Sequence, residues 1–234
     1  MVEMLPLRKI FSEHLEPVMR VKTFAVVLLL STPCVAAAQE WQEFTSLEDG
    51  FRLNFPGQPK VTTISWTSQL NYVLPGRVYS AEKGPERYSI TVVDYSGIEQ
   101  QGVERAKSCP PGNANCRANA PPALGAGYAR HDERGAIVYA TFKLLQRDAK
   151  LTQLAWEWQD MVEGHLLQLT NADQSRTFAY IAMHENKLYI MEGTVPKGSP
   201  EPGLFQQSLG WVDKDGNGIR YQIIYSNSYH GMGV

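Results

Sequence analysis

The chain has 234 residues, 43% of them apolar and 20% charged, a composition that supports a packed core and argues against a disordered chain. Its formal net charge of −2 leaves no basic excess to hold a phosphate backbone, so a nucleic-acid partner is not expected.

The first segment with a clear character starts at Met19 and reads MRVKTFAVVLLLSTPCVAAAQEW. Arg20 and Lys22 make a positive start, Phe24 to Leu30 is an unbroken apolar run, and Ala36-Ala37-Ala38 gives the small-x-small pattern a signal peptidase cuts. Residues 1–38 are therefore expected to be a secretory signal peptide. The acids Glu3, Glu13 and Glu16 make residues 1–18 look like a mis-called extension before a start at Met19. The apolar run is short of the roughly 20 residues that span a bilayer, which disfavours a membrane anchor. Cys34 could mark a lipoprotein, but Ser31 and Pro33 stand where a lipobox wants Leu and a small residue.

Cleavage after Ala38 leaves residues 39–234, a single α+β domain of 196 residues with 18 basic and 21 acidic side chains. Export predicts a periplasmic or secreted protein with no transmembrane span in the mature chain. Phe51-Arg-Leu-Asn-Phe55 alternates apolar and polar and stops at Pro56-Gly57, as a half-buried strand does. Val61–Trp66 and Asn71–Ala81 read as the next strands. Gly84-Pro85 then turns the chain into a strand over Arg87–Tyr95.

A polar helix is expected around Glu99–Lys107. The loop KSCPPGNANCRANAPP follows, with Cys109 and Cys116 seven positions apart. In an exported chain this pair reads as a disulfide, with a ring worth roughly 2.5 kcal/mol in the chain-entropy account. A redox or metal pair is the rival; the spacing is not C-x-x-C and no His stands nearby. Asp132 is placed to cap a helix through GAIVYATFKLLQR, with Val138, Phe142, Leu145 and Ala149 on one face.

Strands resume at Leu151–Trp158, where Leu154, Trp156 and Trp158 share a side, and at His165–Leu169. The two indoles could line a cleft, but a sheet covered by a helix would make them core, the reading favoured here. After a turn at Asn171–Gln174, the strands Ser175–His184 and Lys187–Val195 form a hairpin around Glu185-Asn186. A Pro-rich loop leads to a short helix over Leu204–Leu209. Strands interrupted by a helical section point to α+β with a mainly antiparallel sheet.

The opening WQEFTSLEDGFRLNFPGQPKV and the later NKLYIMEGTVPKGSPEPGLFQQSLGW resemble exported bacterial proteins of the PsbP/DcrB-like superfamily. The first matches a strand of the type gF-x-v-x-FPg-x-P; the second matches a "rlY" strand, a Pro-rich loop and a helix ending in "Sl". The resemblance implies an antiparallel sheet flanked by helices, an α/β/α sandwich. It rests on Phe51, Phe55, Pro56, Pro59, Leu188, Tyr189, Ser208 and Leu209, which carry structure and no catalytic role. It implies a binding or assembly module whose partner is a protein or envelope component.

Chemistry is sparse. G-x-S-x-G, H-E-x-x-H, P-loop and dinucleotide motifs are absent. His131, His165, His184 and His230 sit in no motif that fixes a partner, and read as surface or strand-end residues. The sharpest signal is Asp213-Lys-Asp215-Gly-Asn217-Gly218, which fits positions 1, 3, 5 and 6 of an EF-hand loop. Position 12 is Ile224 where a bidentate Glu belongs, and the following IRYQIIY is β-like. Asp-Gly and Asn-Gly are also favoured turn pairs, and the turn reading leads over a weak calcium site at Asp213, Asp215 and Asn217. Tyr221, Tyr225 and Tyr229 either form a partner patch or close the sheet. No cofactor is expected beyond that calcium. Two functions remain open: a non-catalytic binding or assembly module, or a periplasmic enzyme, such as a hydrolase, without a recognisable motif.

Overall fold

The computed structural model describes residues 40–108, 110 and 128–227. The expected signal peptide and both Cys109 and Cys116 lie outside these residues. Among the described residues, ten strands and three helices follow in chain order: β1 (Trp41–Ser46), β2 (Phe51–Pro56), β3 (Lys60–Thr67), β4 (Val73–Lys83), β5 (Glu86–Asp94), α1 (Ile98–Lys107), α2 (Tyr128–Leu145), β6 (Ala149–Gln159), β7 (Val162–Asn171), β8 (Arg176–His184), β9 (Lys187–Val195), α3 (Gly203–Gln206) and β10 (Gly210–Trp211). The chain is thus mixed α+β with a sheet-dominated core. No helix among the described residues is long and apolar enough to cross a membrane.

Seven strands form one antiparallel sheet in the order β3-β4-β5-β9-β8-β7-β6, and β1-β2-β10 form a second. Two of its hairpins turn on residue pairs with positive φ, Asp160-Met161 (45° and 66°) and Glu185-Asn186 (47° and 60°), which match the strand twist. In β7, a Cβ on Gly164 would lie 2.2 Å from the Ile181 carbonyl oxygen, so only glycine lets β8 approach there.

The central strands are buried on both faces. On one face α1 and α2 pack over Leu74, Val93, Leu167, Ala179, Ile181 and Leu188. The stripe of α2 that faces the sheet is Ala129, Ala136, Ala140 and Leu144, and its three alanines permit close approach. The expected face is turned away: Val138, Phe142 and Leu145 are exposed, and Ala149 already belongs to β6. Asp132 does not cap the helix. It is buried within α2, accepting hydrogen bonds from the Ser68 hydroxyl and from Leu70 N–H at 3.0 Å, and so fixes the β3–β4 turn. Arg105 of α1 grips the same turn, donating to the carbonyls of Leu70 and Asn71 at 2.8 Å each.

The other face is covered by the three-stranded sheet and the one-turn helix α3, where helices were expected. An aromatic layer joins the sheets: Phe51 meets Tyr79 edge-on at 5.0 Å, Tyr189 meets Trp211 at 4.9 Å, and Phe55 meets Phe205 at 5.6 Å. Ser208 ties α3 to β2 by accepting Asn54 N–H at 2.9 Å while donating to the Phe205 carbonyl.

A charged clamp sits in this layer. Asp49, in the β1–β2 turn, is 1% exposed. Its carboxylate accepts two hydrogen bonds from Arg77 of β4 and one from the Tyr79 hydroxyl at 2.6 Å, with the Lys187 ammonium at 3.6 Å. Its backbone carbonyl accepts the Tyr189 hydroxyl of β9. Burial alone would raise the carboxyl's pKa, but the Arg77 and Tyr79 hydrogen bonds and the two cations outweigh it and hold it below 3.8. The same burial and the hydrogen bond to Asp49 push the Tyr79 hydroxyl up to about 12. Removing one partner of such a pair strands the other charge. Arg77→Ala is expected to cost roughly 3–5 kcal/mol in urea unfolding. Because the Asp49 pKa is lowered on folding, its contribution is whole above pH 3.8 and is lost as the pH falls below it. Asp49→Asn should therefore flatten that part of the acid-unfolding profile.

Candidate functional site

The Asp213–Gly218 segment folds as a turn that uses its own polar groups. Asp213 Oδ1 accepts the N–H groups of Asp215 and Asn217 at 2.9 Å each, and Oδ2 accepts the Asn217 side-chain amide at 3.2 Å. Those backbone and side-chain bonds hold the Asp213 pKa below its ordinary value. Gly216 takes a φ of 85°, the conformation the Asp-Gly step supplies. Among the described residues no three His, Cys, Asp or Glu side chains group as metal ligands. The IRYQIIY segment is not a strand. It is pinned at its ends, by Ile219 N–H to the Trp211 carbonyl at 2.8 Å and by Tyr225, whose N–H donates to Met161 and whose carbonyl accepts Glu163 N–H.

The histidines separate into three environments. His131 is exposed on α2. His184 is the last residue of β8, a strand end as expected, and it is buried there: its ring lies on Trp211 with centroids 4.4 Å apart, and Nε2 is 2.6 Å from the Tyr221 hydroxyl. Tyr221 and Tyr225 close over it, so the described part of the tyrosine tail seals the sheet layer. His165, on β7, has Nδ1 2.8 Å from the Thr141 hydroxyl of α2. Burial lowers its pKa and the Glu163 charge offsets part of that.

The His165–Thr141 contact marks where α2 ends its cover of the sheet. Trp156 is paired with His165 in the next strand out, and paired residues share a face. Leu154 and Trp158, two positions either side, share that face too, beyond the reach of α2. They are 48%, 53% and 45% exposed for Leu154, Trp156 and Trp158, which corrects the expectation of core tryptophans. Their indoles touch, with centroids 5.1 Å apart, and Trp156 Nε1 donates to Glu163 at 3.3 Å. On the helix side, Val138 and Leu145 lie three before and four after Thr141, on its stripe. Edge strand β6 thus carries an exposed apolar face next to His165, and the Thr141 stripe of α2 carries another; we term the ground between them the groove. Its elements were legible in the sequence, but alternation shows which residues share a face and not whether that face is covered.

A second feature of the helix layer is polar. Asp132 Oδ1, Tyr95 Oη and Trp66 Nε1 are buried with no well-formed hydrogen bond among the described residues. Burial, with the Asp132 charge nearby, raises the Tyr95 pKa. Such atoms are the usual hosts of an internal water. The open recesses beside β6 and β9 are polar, lined by residues such as Glu157, Asp160 and Gln206, or Arg87, Arg147 and Glu192. No family model and no curated protein matches this chain.

Because folded His165 holds its proton more weakly than the unfolded chain, acid favours unfolding. Stability is whole above pH 6.5 and declines as the pH drops below it. The melting temperature should fall between pH 7.5 and pH 5.5, and fall less in His165→Gln.

Proposed function

We propose that this chain is an exported, non-catalytic binding or assembly module of the PsbP/DcrB-like kind, and that its working surface is the groove between α2 and β6. The observation that carries this reading is the exposure of Trp156 and Trp158 on a sheet edge. Monomeric proteins seldom leave a contiguous apolar patch of this kind open, and where they do it marks an interaction site. An edge strand adds a second means of recognition, since its unpaired N–H and C=O groups accept an incoming strand. The family likeness is supported by where its residues lie: Phe51, Phe55, Tyr189 and Leu209 are buried in the layer between the sheets, Leu188 is buried on the helix-covered face, and Ser208 links α3 to β2. The partner is a protein that lays an extended segment along β6. The export reading rests on the residues before Gln39.

Two measurements test this. Intact protein recovered from the cell envelope should start at Gln39 and gain about two hydrogens on reduction of Cys109 and Cys116; a full-length mass with free thiols contradicts export. A photo-crosslinking residue at position 158 should form a protein adduct in the envelope, and one at Val61, exposed on the opposite edge strand β3, should not. Labelling from neither, or equally from both, overturns the assignment of the surface.

A further inference from the structure

We infer that the segment received by β6 is β6 of a second copy, so that two chains join edge to edge about a twofold axis at Trp156. This rests on the groove being the working surface and names its occupant.

The first argument is hydrogen-bond direction. Gln159 turns its main chain inward: its N–H donates to the Tyr180 hydroxyl at 3.2 Å and its carbonyl accepts Trp211 Nε1 at 3.1 Å. Main-chain direction alternates along a strand, so Leu154, Trp156 and Trp158 present theirs to the open edge. Consistent with this, among the described residues the Trp158 N–H is met at 3.0 Å by the side chain of its own neighbour Glu157. An antiparallel copy centred on Trp156 places outward groups against outward groups throughout.

The second argument is the sequence of the edge. The stretch Gln153–Gln159 reads QLAWEWQ and is bounded by a break in register between Leu151 and Gln153 and by the turn after Gln159. Centred on Trp156, Gln153 faces Gln159, Leu154 faces Trp158, Ala155 faces Glu157, and Trp156 faces itself. Facing residues share a face in every pair, and no like charges oppose. A shift by one residue would set apolar against polar faces. Within the stretch the devices against such pairing are few: it has no proline and no lysine, its one charge is Glu157, and the register break lies at its start.

The third argument is area. At side-chain areas of ~150–250 Å², the exposed parts of Leu154, Trp156 and Trp158 come to about 330 Å² per copy and about 650 Å² for two, all of it apolar and along the line of pairing. The rest of the roughly 1,200 Å² of a stable interface comes from the paired backbone and the flanking side chains of β6.

The test is sedimentation equilibrium of the exported protein with two sets of variants. Wild type should show a monomer–dimer equilibrium. Trp156→Glu should weaken it at least about 30-fold, as loss of a central aromatic anchor does, with an unchanged circular dichroism spectrum. In a Cys109→Ser, Cys116→Ser background, Trp156→Cys should oxidise to a covalent dimer, because facing hydrogen-bonded residues lie about 5.5 Å apart, within disulfide range. Leu154→Cys should not, because its own copy lies about 13 Å away along the strand. A wild type that stays monomeric at all concentrations, or equal oxidation at positions 154 and 156, overturns the inference. If such a monomer still forms adducts with another protein from position 158, the dimer fails and the groove remains the working surface. If position 158 forms none, both readings fail together.

Discussion

The buried carboxylate of Asp49 is the constraint on which the layered arrangement turns. The three-stranded sheet is small, and its third strand has two residues, so it cannot hold itself together by its own pairing. It is held as a lid by the aromatic layer and by one charge. A carboxylate that is 1% exposed is tolerable only when every cation and hydroxyl around it is in place. Arg77, Tyr79 and Lys187 come from β4 and β9, which flank β5 and come within reach of one carboxylate only once the large sheet has formed. The clamp therefore ties closure of the second face to correct assembly of the first.

With that face closed, the uncovered surface follows from dimensions. Seven strands at ~4.8 Å spacing span about 29 Å, whereas two helices side by side cover about 20 Å. The helices are drawn to the β3 side, where Arg105 and Asp132 both hold the β3–β4 turn. The strand left bare is β6, at the other end of the sheet order. The exposed tryptophans are thus a consequence of where the polar anchors hold α1 and α2, and like any sheet edge the strand they occupy presents outward-facing main chain.

Much of this was legible in the residues. β2 follows from alternation and β6 from it in part, the other strands from β3 to β9 from their composition and bounding turns, the Glu185-Asn186 turn among them, and α1 and α2 lie where a helical section was expected. What pattern could not decide was cover. Val138, Phe142 and Leu145 are more apolar than Ala129, Ala136 and Ala140, yet the alanine stripe is buried because it allows the closer approach. Asp132 reads as a cap because acids favour helix starts, and its buried role depends on a turn 62 residues away. IRYQIIY has the composition of a strand but pairs only at its ends. The Asp213 turn carries half of a calcium pattern, and that half is engaged in closing the turn.

Residue-resolved amide exchange on β6, at low and high protein concentration, tests the central claim most directly. Gln153, Ala155 and Glu157 bond inward to β7 and should be protected at both. The outward amides of Leu154, Trp156 and Trp158 should exchange freely when dilute and become protected as concentration rises. Free exchange of these three at every concentration, with the inner three protected, would contradict a β6 edge that receives its own copy.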